Sequence, residues 1–324
     1  MTIHLLVPVG FTEWPSGGNV YDQRVQAGLV GLGVDLVTHE VSETRAPELP
    51  DGALVLADSL VASWWAESLL ASSAQIVPLV HMAFETPAER ELYAAAPAVV
   101  CTSGWTRRWL VDRYGLDATR VHVATPGVDM ADPAPGTEAG GELLCVASVV
   151  PAKGHDVLLA ALSSLTDLDW RCTLVGSLDR DPDFVDQLHK TAADTGIADR
   201  LVFTGALPHD EVQAAYAGAD ALVLPSRGES YGMVVTEALA HGLPVVAAAV
   251  GGVPEALGHG EDGTTPGLLI RPDDADALAG ALRRWLEDQR RRQRLRRSAR
   301  LRRLTLTTWS GTTAQVAAAL EAAR

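Results

Sequence analysis

Residues 221–242 read ALVLPSRGESYGMVVTEALAHG, and their order decides the kind of fold this chain adopts. Ala221–Leu224 is a short apolar run with the length and composition of a buried strand. Pro225-Ser-Arg-Gly-Glu-Ser follows with turn chemistry, and Tyr231–Ala240 reads as a helix that stops at Gly242, just before Pro244. A strand–loop–helix unit of this kind puts its loop at the carboxyl end of a parallel strand, where open α/β sheets bind ligands. Glu229 falls in that loop and Glu237 about two turns into the helix. The backbone N–H groups around Ser230 to Met233 form the helix N-terminus, which stabilises an anion through unpaired donors and the helix dipole. An ionised carboxylate accepts hydroxyl hydrogen bonds, so an acid on each side of a phosphate suits a ligand rich in hydroxyls.

Outward from this stretch, short apolar runs alternate with helical patterns, the signature of parallel α/β sheets. The first half predicts strands at Ile3–Val9, Val34–Glu40, Ala53–Ala57, Gln75–His81, Ala98–Thr102 and Val121–Ala124, with helices at Asn19–Leu32, Ser59–Ala71, Pro87–Ala95 and Gly104–Tyr114. Residues 129–141, DMADPAPGTEAGG, lack periodicity and read as a linker. The pattern then restarts, with strands at Leu143–Ala147, Arg171–Val175, Leu201–Thr204, Ala221–Leu224 and Pro244–Ala247. Helices are predicted at Gly154–Leu165, Asp183–Thr195, His209–Ala217, Tyr231–Ala240 and Asp274–Gln289, and a last one follows Trp309. The expectation is two doubly wound domains, residues 1–130 and 131–309, facing across a cleft that would hold the ligand.

Composition narrows the function classes. At 324 residues, 47% hydrophobic and 21% charged, the chain is long enough for two domains with sizeable cores. No apolar run reaches the roughly 18 residues of a membrane span, and MTIHLLVPVG reads as a first strand, not a signal peptide. Cys101, Cys145 and Cys172 match no zinc spacing and predict buried thiols in a reducing, cytoplasmic compartment. The net charge is −15, yet residues 283–324 carry 12 bases against 3 acids. The acidic body argues against nucleic-acid binding. The basic tail predicts an amphipathic helix with a solvated arginine face, and contact with a membrane surface is not favoured.

Glu229 and Glu237 reproduce the E-x7-E spacing of the retaining glycosyltransferases of family four, and the chain resembles that family over nearly its whole length. ASVVPAKGHDVLL (147–159) looks like the family's lysine–glycine turn, and PVVAAAVGGVPE (244–255) like its glycine loop facing the donor. Val202–Gly205 with Tyr216–Pro225 resembles its nucleotide-base region, and Ser16-Gly17-Gly18-Asn19 the glycine-rich loop after the first strand. The Ser103 turn, Pro126-Gly-Val-Asp129 and Trp309-Ser310 also fall where the family has them, the last before a helix (310–324) that crosses back onto the first domain.

The resemblance implies a GT-B fold, a nucleotide diphosphate-sugar as donor substrate in place of any bound cofactor, and a small-molecule, glycan or lipid acceptor. It implies that Glu237 binds the ribose, Glu229 the transferred sugar, and Lys153 the diphosphate. Lys153 is one of only two lysines beside 24 arginines. It further implies donor contacts from Gly17, Gly18, Leu207, Ser226, Ser230, Tyr231, Gly232, Met233 and Val234, and a sugar contact from His81. One departure is plain: Ser148 stands where the family has an arginine five residues before the lysine, so Arg180 or Arg227 is expected to supply the missing charge. The family's Gly-x-Gly after the second strand of this domain is replaced by Gly176-Ser-Leu-Asp-Arg.

Trp14, Trp64 and Trp65 are weak candidates for stacking on an acceptor. The family retains anomeric configuration, and no carboxylate stands out as the nucleophile of a double displacement, so the leaving diphosphate is expected to help deprotonate the acceptor. No metal is expected, because the Asp-x-Asp pairs at Asp167/Asp169, Asp179/Asp181 and Asp181/Asp183 sit in ordinary acidic loops. Two other readings share this architecture: a sugar-nucleotide epimerase and a catalytically inactive nucleotide-sugar binder. A dinucleotide oxidoreductase is disfavoured, because GLVGLG (28–33) is not G-x-G-x-x-G and does not follow a strand.

Overall fold

The computed structural model describes residues 2–13 and 16–324. Trp14 lies outside them. The chain divides into two compact units, one of residues 1–127 with 307–324 and one of residues 128–306.

The first unit holds one parallel sheet of six strands: β1 (Ile3–Pro8), β2 (Leu36–Val41), β3 (Leu54–Asp58), β4 (Gln75–Val80), β5 (Val99–Cys101) and β6 (Val121–Val123), ordered β2-β1-β3-β4-β5-β6. Neighbouring residues of a strand enter opposite cores. Leu54 and Leu56 pack with Leu5, Tyr21 and Val316, whereas Val55 and Ala57 pack with Leu6, Leu92 and Leu110. Both faces are covered, which is why the strands read as unbroken apolar runs instead of alternating ones.

The second unit repeats the plan with β7 (Glu142–Val146), β8 (Arg171–Val175), β9 (Leu201–Gly205), β10 (Ala221–Leu224), β11 (Val245–Ala248) and β12 (Gly267–Ile270), ordered β12-β11-β10-β7-β8-β9. This is the doubly wound order of mononucleotide-binding sheets, with its reversal between β7 and β10. Strand β12 and the short helix Val253–Leu257 are additional to the sequence reading.

Helix starts follow side-chain caps. Ser16, Asp58, Thr86, Ser103, Asp181, Asp274 and Thr308 each accept a backbone N–H of the first turn, and Pro87 and Pro182 occupy the first turns of their helices. The expected helix 59–71 is broken at Trp65, giving Ser59–Trp64 and Ala66–Ala71. Trp64 and Trp65 pack against the core, and the Trp65 indole donates to Ser42 O.

Helix Trp309–Ala322 lies on the first unit, contributing Val316, Ala319 and Leu320 to its core. Gly28 permits this contact, since a Cβ there would stand 2.1 Å from Thr313 Oγ1. The GLVGLG segment thus serves helix packing. No helix among the described residues is long and apolar enough to cross a membrane.

The arginine-rich segment differs from the expected solvated face. It forms two helices, Ala275–Glu287 and Gln289–Arg302, separated at Asp288, which caps the second. Arg292 is buried and donates to the carbonyls of Trp285, Leu286 and Glu138. Arg302 and Arg303 bind the carbonyls of Leu257 and Ala240. Arg296 pairs with the fully buried Asp220, which also accepts from the Thr137 backbone and hydroxyl and from Glu142 N. Arg292 and Arg296 thereby fasten the 137–142 segment. Asp220→Ala leaves Arg296 without its anion and two backbone donors unmet, so the second unit is expected to lose about 3 kcal/mol. Urea unfolding followed by Trp170 and Trp285 fluorescence checks this.

Candidate active site

The second unit's site is built where its strand order reverses. The turn after β7 runs through Pro151-Ala152-Lys153 to Gly154, and the turn after β10 through Pro225 to Gly232. Gly154 has φ +69°, and a Cβ on it would stand 2.2 Å from Pro225 O, so only glycine lets the two turns touch. Arg227 N donates to Ala152 O at 2.9 Å. Across this contact Lys153 Nζ donates to Glu229 Oε1 at 2.7 Å, with the two side chains 29% and 14% exposed. The structure thus brings together two of the predicted residues, 76 positions apart.

Arg227, one of the two arginines expected to offset Ser148, is held by acids and a carbonyl of its own unit. Its guanidinium is bonded to both oxygens of Asp156, to Asp273 Oδ1 at 2.6 Å and to Pro151 O, so it fastens the lysine turn from behind. Arg180 is exposed in the loop after β8, and Ser148 is half-buried after β7. Gly176 abuts Ala147 O, where a Cβ would be 1.9 Å away, so the glycine in the altered Gly-x-Gly position serves packing between loops.

The helix that follows Glu229 begins at Met233, two residues later than expected, because Gly232 at φ +95° cannot be a helical residue. Its N-terminus has no side-chain cap. Tyr231 is buried in the core and Ser226 is fully buried. Leu207, Met233 and Val234 are partly buried against the same core. Behind Glu229 lies the glycine loop: Gly252 N donates to Glu229 O, and a Cβ on Gly251 would stand 1.7 Å from that oxygen.

Glu237 stands one turn into the helix, not two, and its Oε2 accepts from Tyr216 Oη at 2.8 Å. Tyr216 stacks on His241 and was not singled out from the sequence. Burial raises the Glu237 pKa, and the Tyr216 hydrogen bond only partly offsets it.

In the first unit, Gly17 and Gly18 open the helix Gly17–Gly31, and His81 follows β4. His81 Nε2 lies 2.8 Å from Asp22 Oδ1 and 3.5 Å from Asp58 Oδ2. The ring abuts Gly18, whose missing Cβ would be 3.2 Å from Cδ2, and meets the edge of Tyr21. Asp22 and Asp58 escaped the sequence reading. The available signal was an acid one helical turn after Gly18 on the buried face, and another closing a strand. By ligand type, Asp22, Asp58 and His81 are also a set that could hold a metal ion. Among the Asp-x-Asp acids, Asp167 is bound to Arg283 and Asp181 caps its helix.

Two six-stranded Rossmann-like sheets, one with an E-x7-E turn at its strand reversal, define a protein of the GT-B class. Three solved structures share the fold across essentially the whole chain: a glycosyltransferase of Rickettsia africae (TM-score 0.78, 19% identity, 99% of this chain and 97% of that one), a sucrose-phosphate synthase of Thermosynechococcus elongatus (0.80, 20%, 98% and 97%), and Anabaena HepE in complex with UDP-glucose (0.77, 20%, 99% and 99%). The pattern of the family described as glycosyl transferases group 1 matches residues 136–302, and that of glycosyltransferase family 4 matches residues 54–132. The chain therefore belongs to the glycosyl transferases group 1 family. Among curated relatives, the D-inositol 3-phosphate glycosyltransferase of Acidothermus cellulolyticus is 35% identical over 221 residues, which is 61% of this chain and 48% of the relative. The chain spans about half the length of the curated relatives it matches.

Gly251→Ala tests the glycine loop. A side chain there meets Glu229 O at φ +52°, so the variant is expected to lose about 1–3 kcal/mol and to separate Glu229 from Lys153. Thermal unfolding and a crystal structure of the variant check both.

Proposed function

We propose that the protein is a retaining, metal-independent glycosyltransferase that moves a glycosyl group from a nucleoside diphosphate sugar to an acceptor hydroxyl. The observation that carries this reading is the Lys153–Glu229 pair at the strand reversal of the second sheet, beside the uncapped N-terminus of helix Met233–Ala240. The lysine ammonium has three donors and Glu229 takes one, leaving two for a diphosphate. As the anomeric carbon–oxygen bond breaks, negative charge develops on the leaving diphosphate, and a fixed cation with helix-terminal N–H groups stabilises it. Glu229, oriented by Lys153, accepts hydroxyls of the sugar, and Glu237 accepts those of the ribose. The acceptor oxygen bonds to the anomeric carbon on the face the diphosphate leaves, and its proton passes to a diphosphate oxygen.

At the carboxyl end of the first sheet, the Gly17-Gly18 backbone and His81 contact substrate. HepE crystallised with UDP and with UDP-glucose supports a nucleotide-sugar donor, as do relatives named glycosyltransferases. Cys101, Cys145 and Cys172 are buried thiols in no disulfide, which suits a reducing compartment, and we assign the enzyme to the cytoplasm.

Thermal shift over UDP-, GDP- and ADP-linked sugars should give one class that raises the melting point of the wild type. Lys153→Ala and Glu229→Ala are each expected to lower kcat/KM roughly 10²–10³-fold, with the fold retained. Unchanged turnover in both variants would overturn the reading, and so would loss of activity to EDTA or inversion at the anomeric carbon.

The raised pKa of Glu237 adds a pH signature. The ribose hydroxyls donate to the carboxylate, and a raised pKa means protonation begins at a higher pH than for an ordinary glutamate. Donor affinity is therefore expected to fall on acidification while ordinary glutamates are still ionised. Calorimetric titrations of wild type and Glu237→Gln from pH 8 to pH 5 check this: the wild type should weaken, and the weaker-binding variant should stay flat.

A further inference from the structure

A sugar contact by His81 does not account for the two buried carboxylates that meet its ring. Asp22 is fully buried, with Oδ1 at 2.8 Å from Nε2 and Oδ2 without a hydrogen-bond partner among the described residues. Asp58 is 4% exposed; its Oδ1 caps the helix Ser59–Trp64, and its Oδ2 lies 3.5 Å from the same Nε2. The ring is wedged by Gly18 on one side and by the edge of Tyr21, centroids 5.0 Å apart, on another. The three residues come from three separate elements: the helix Gly17–Gly31, the end of β3 and the turn after β4.

Two buried carboxylates within reach of one ring nitrogen are costly unless positive charge offsets them. Nε2 carries a single hydrogen and cannot satisfy both acids by hydrogen bonding alone. A positive charge on the ring strengthens the hydrogen bond to Asp22 and attracts Asp58 at 3.5 Å without a second hydrogen.

We propose that Asp22 and Asp58 are positioning residues for His81: by converging on Nε2 they keep the imidazole protonated at both nitrogens, leaving Nδ1–H as a fixed, charged donor to a substrate oxygen. The final clause rests on the proposed function, whereas the charge and orientation of the ring do not. A charge-assisted donor forms a hydrogen bond roughly twice as strong as a neutral one. Proton affinities agree with the geometry. Burial opposes the charge on His81, yet the Asp22 charge, its hydrogen bond and the Asp58 charge together raise the pKa above the ordinary value. Asp58 is the weaker of the two anchors: burial and the Asp22 charge push it up to about 7, and the His81 charge only partly offsets them, so Asp22 at hydrogen-bond distance is the main source of the ring's charge. Tyr21 from the same helix and Tyr93 from helix Pro87–Ala95 also face the cluster, and burial holds both phenols well above their usual range, so they stay neutral.

Carbon-detected histidine NMR on the full chain tests this, with the His81 resonance assigned by its loss in His81→Asn. In the wild type its midpoint is expected above the ordinary value of about 6.5. Asp22→Asn, which keeps the side-chain shape, should lower that midpoint by at least about one unit. It should also reduce kcat/KM at pH 7.5 roughly tenfold, with the deficit shrinking at lower pH. A wild-type midpoint at or below the ordinary value overturns the proposal, as does a midpoint that Asp22→Asn leaves in place. A shifted midpoint with unchanged kcat/KM overturns the donor role. A zinc-dependent, EDTA-reversible shift of the resonance would make the cluster a metal centre and also end the proposal. Should Asp22→Asn fail to fold, Asp58→Asn and the wild-type titration decide. Absence of glycosyl transfer by the wild type would count against the proposed function and leave the titration to judge the ring's charge.

Discussion

The contact between Lys153 and Glu229 is the constraint around which the second unit is arranged. A partly desolvated ion pair repays its cost only when geometry is held by something stiffer than two side chains. Here that is backbone. Gly154 lets the lysine turn touch the end of β10, and Gly251 and Gly252 let another loop press on the backbone of Glu229 and Ser230. Arg227, with Asp156 and Asp273, closes the arrangement from the outside. Three loops from three strands are thereby fixed to one another at the strand reversal. Glycine, here, is less a source of flexibility than of close approach.

The fold was legible because central parallel strands such as Leu54–Asp58 and Ala221–Leu224 are buried on both faces and leave apolar runs, and eleven of the twelve strands among the described residues can be read from the sequence. The exception, Gly267–Ile270, follows a stretch rich in glycine, threonine and proline and is only four residues long, too little for a periodic signal. The misplaced helix start has a different origin. Tyr231 extends the apolar rhythm because its ring belongs to the core, while Gly232 beside it holds a backbone angle no helix uses. Side-chain pattern and backbone conformation part company over two residues.

Site residues divide along the same line. Lys153 and Glu229 sit in turns, and Glu237 in the helix that follows one of them, within stretches whose composition announces them. Tyr216, Asp22 and Asp58 are embedded in ordinary-looking helix and strand ends, and their roles arise only when distant elements meet. The arginine-rich segment misleads in the opposite way. Its charge density suggests a face turned to water, but several guanidiniums are consumed by backbone carbonyls and by Asp220. A planar fork of donors can close off carbonyls at loop and helix ends as well as bind anions. Charge counted along the chain says nothing of which use is made.

The helix Trp309–Ala322 belongs to the first unit though it follows the whole second unit along the chain. During synthesis, the core face formed by Tyr21, Val25 and Leu29 must wait for Val316 and Leu320 while the whole second unit is being made. The first unit therefore cannot mature as an autonomous early domain, and its half-covered face is the surface on which nascent chains would stick to one another.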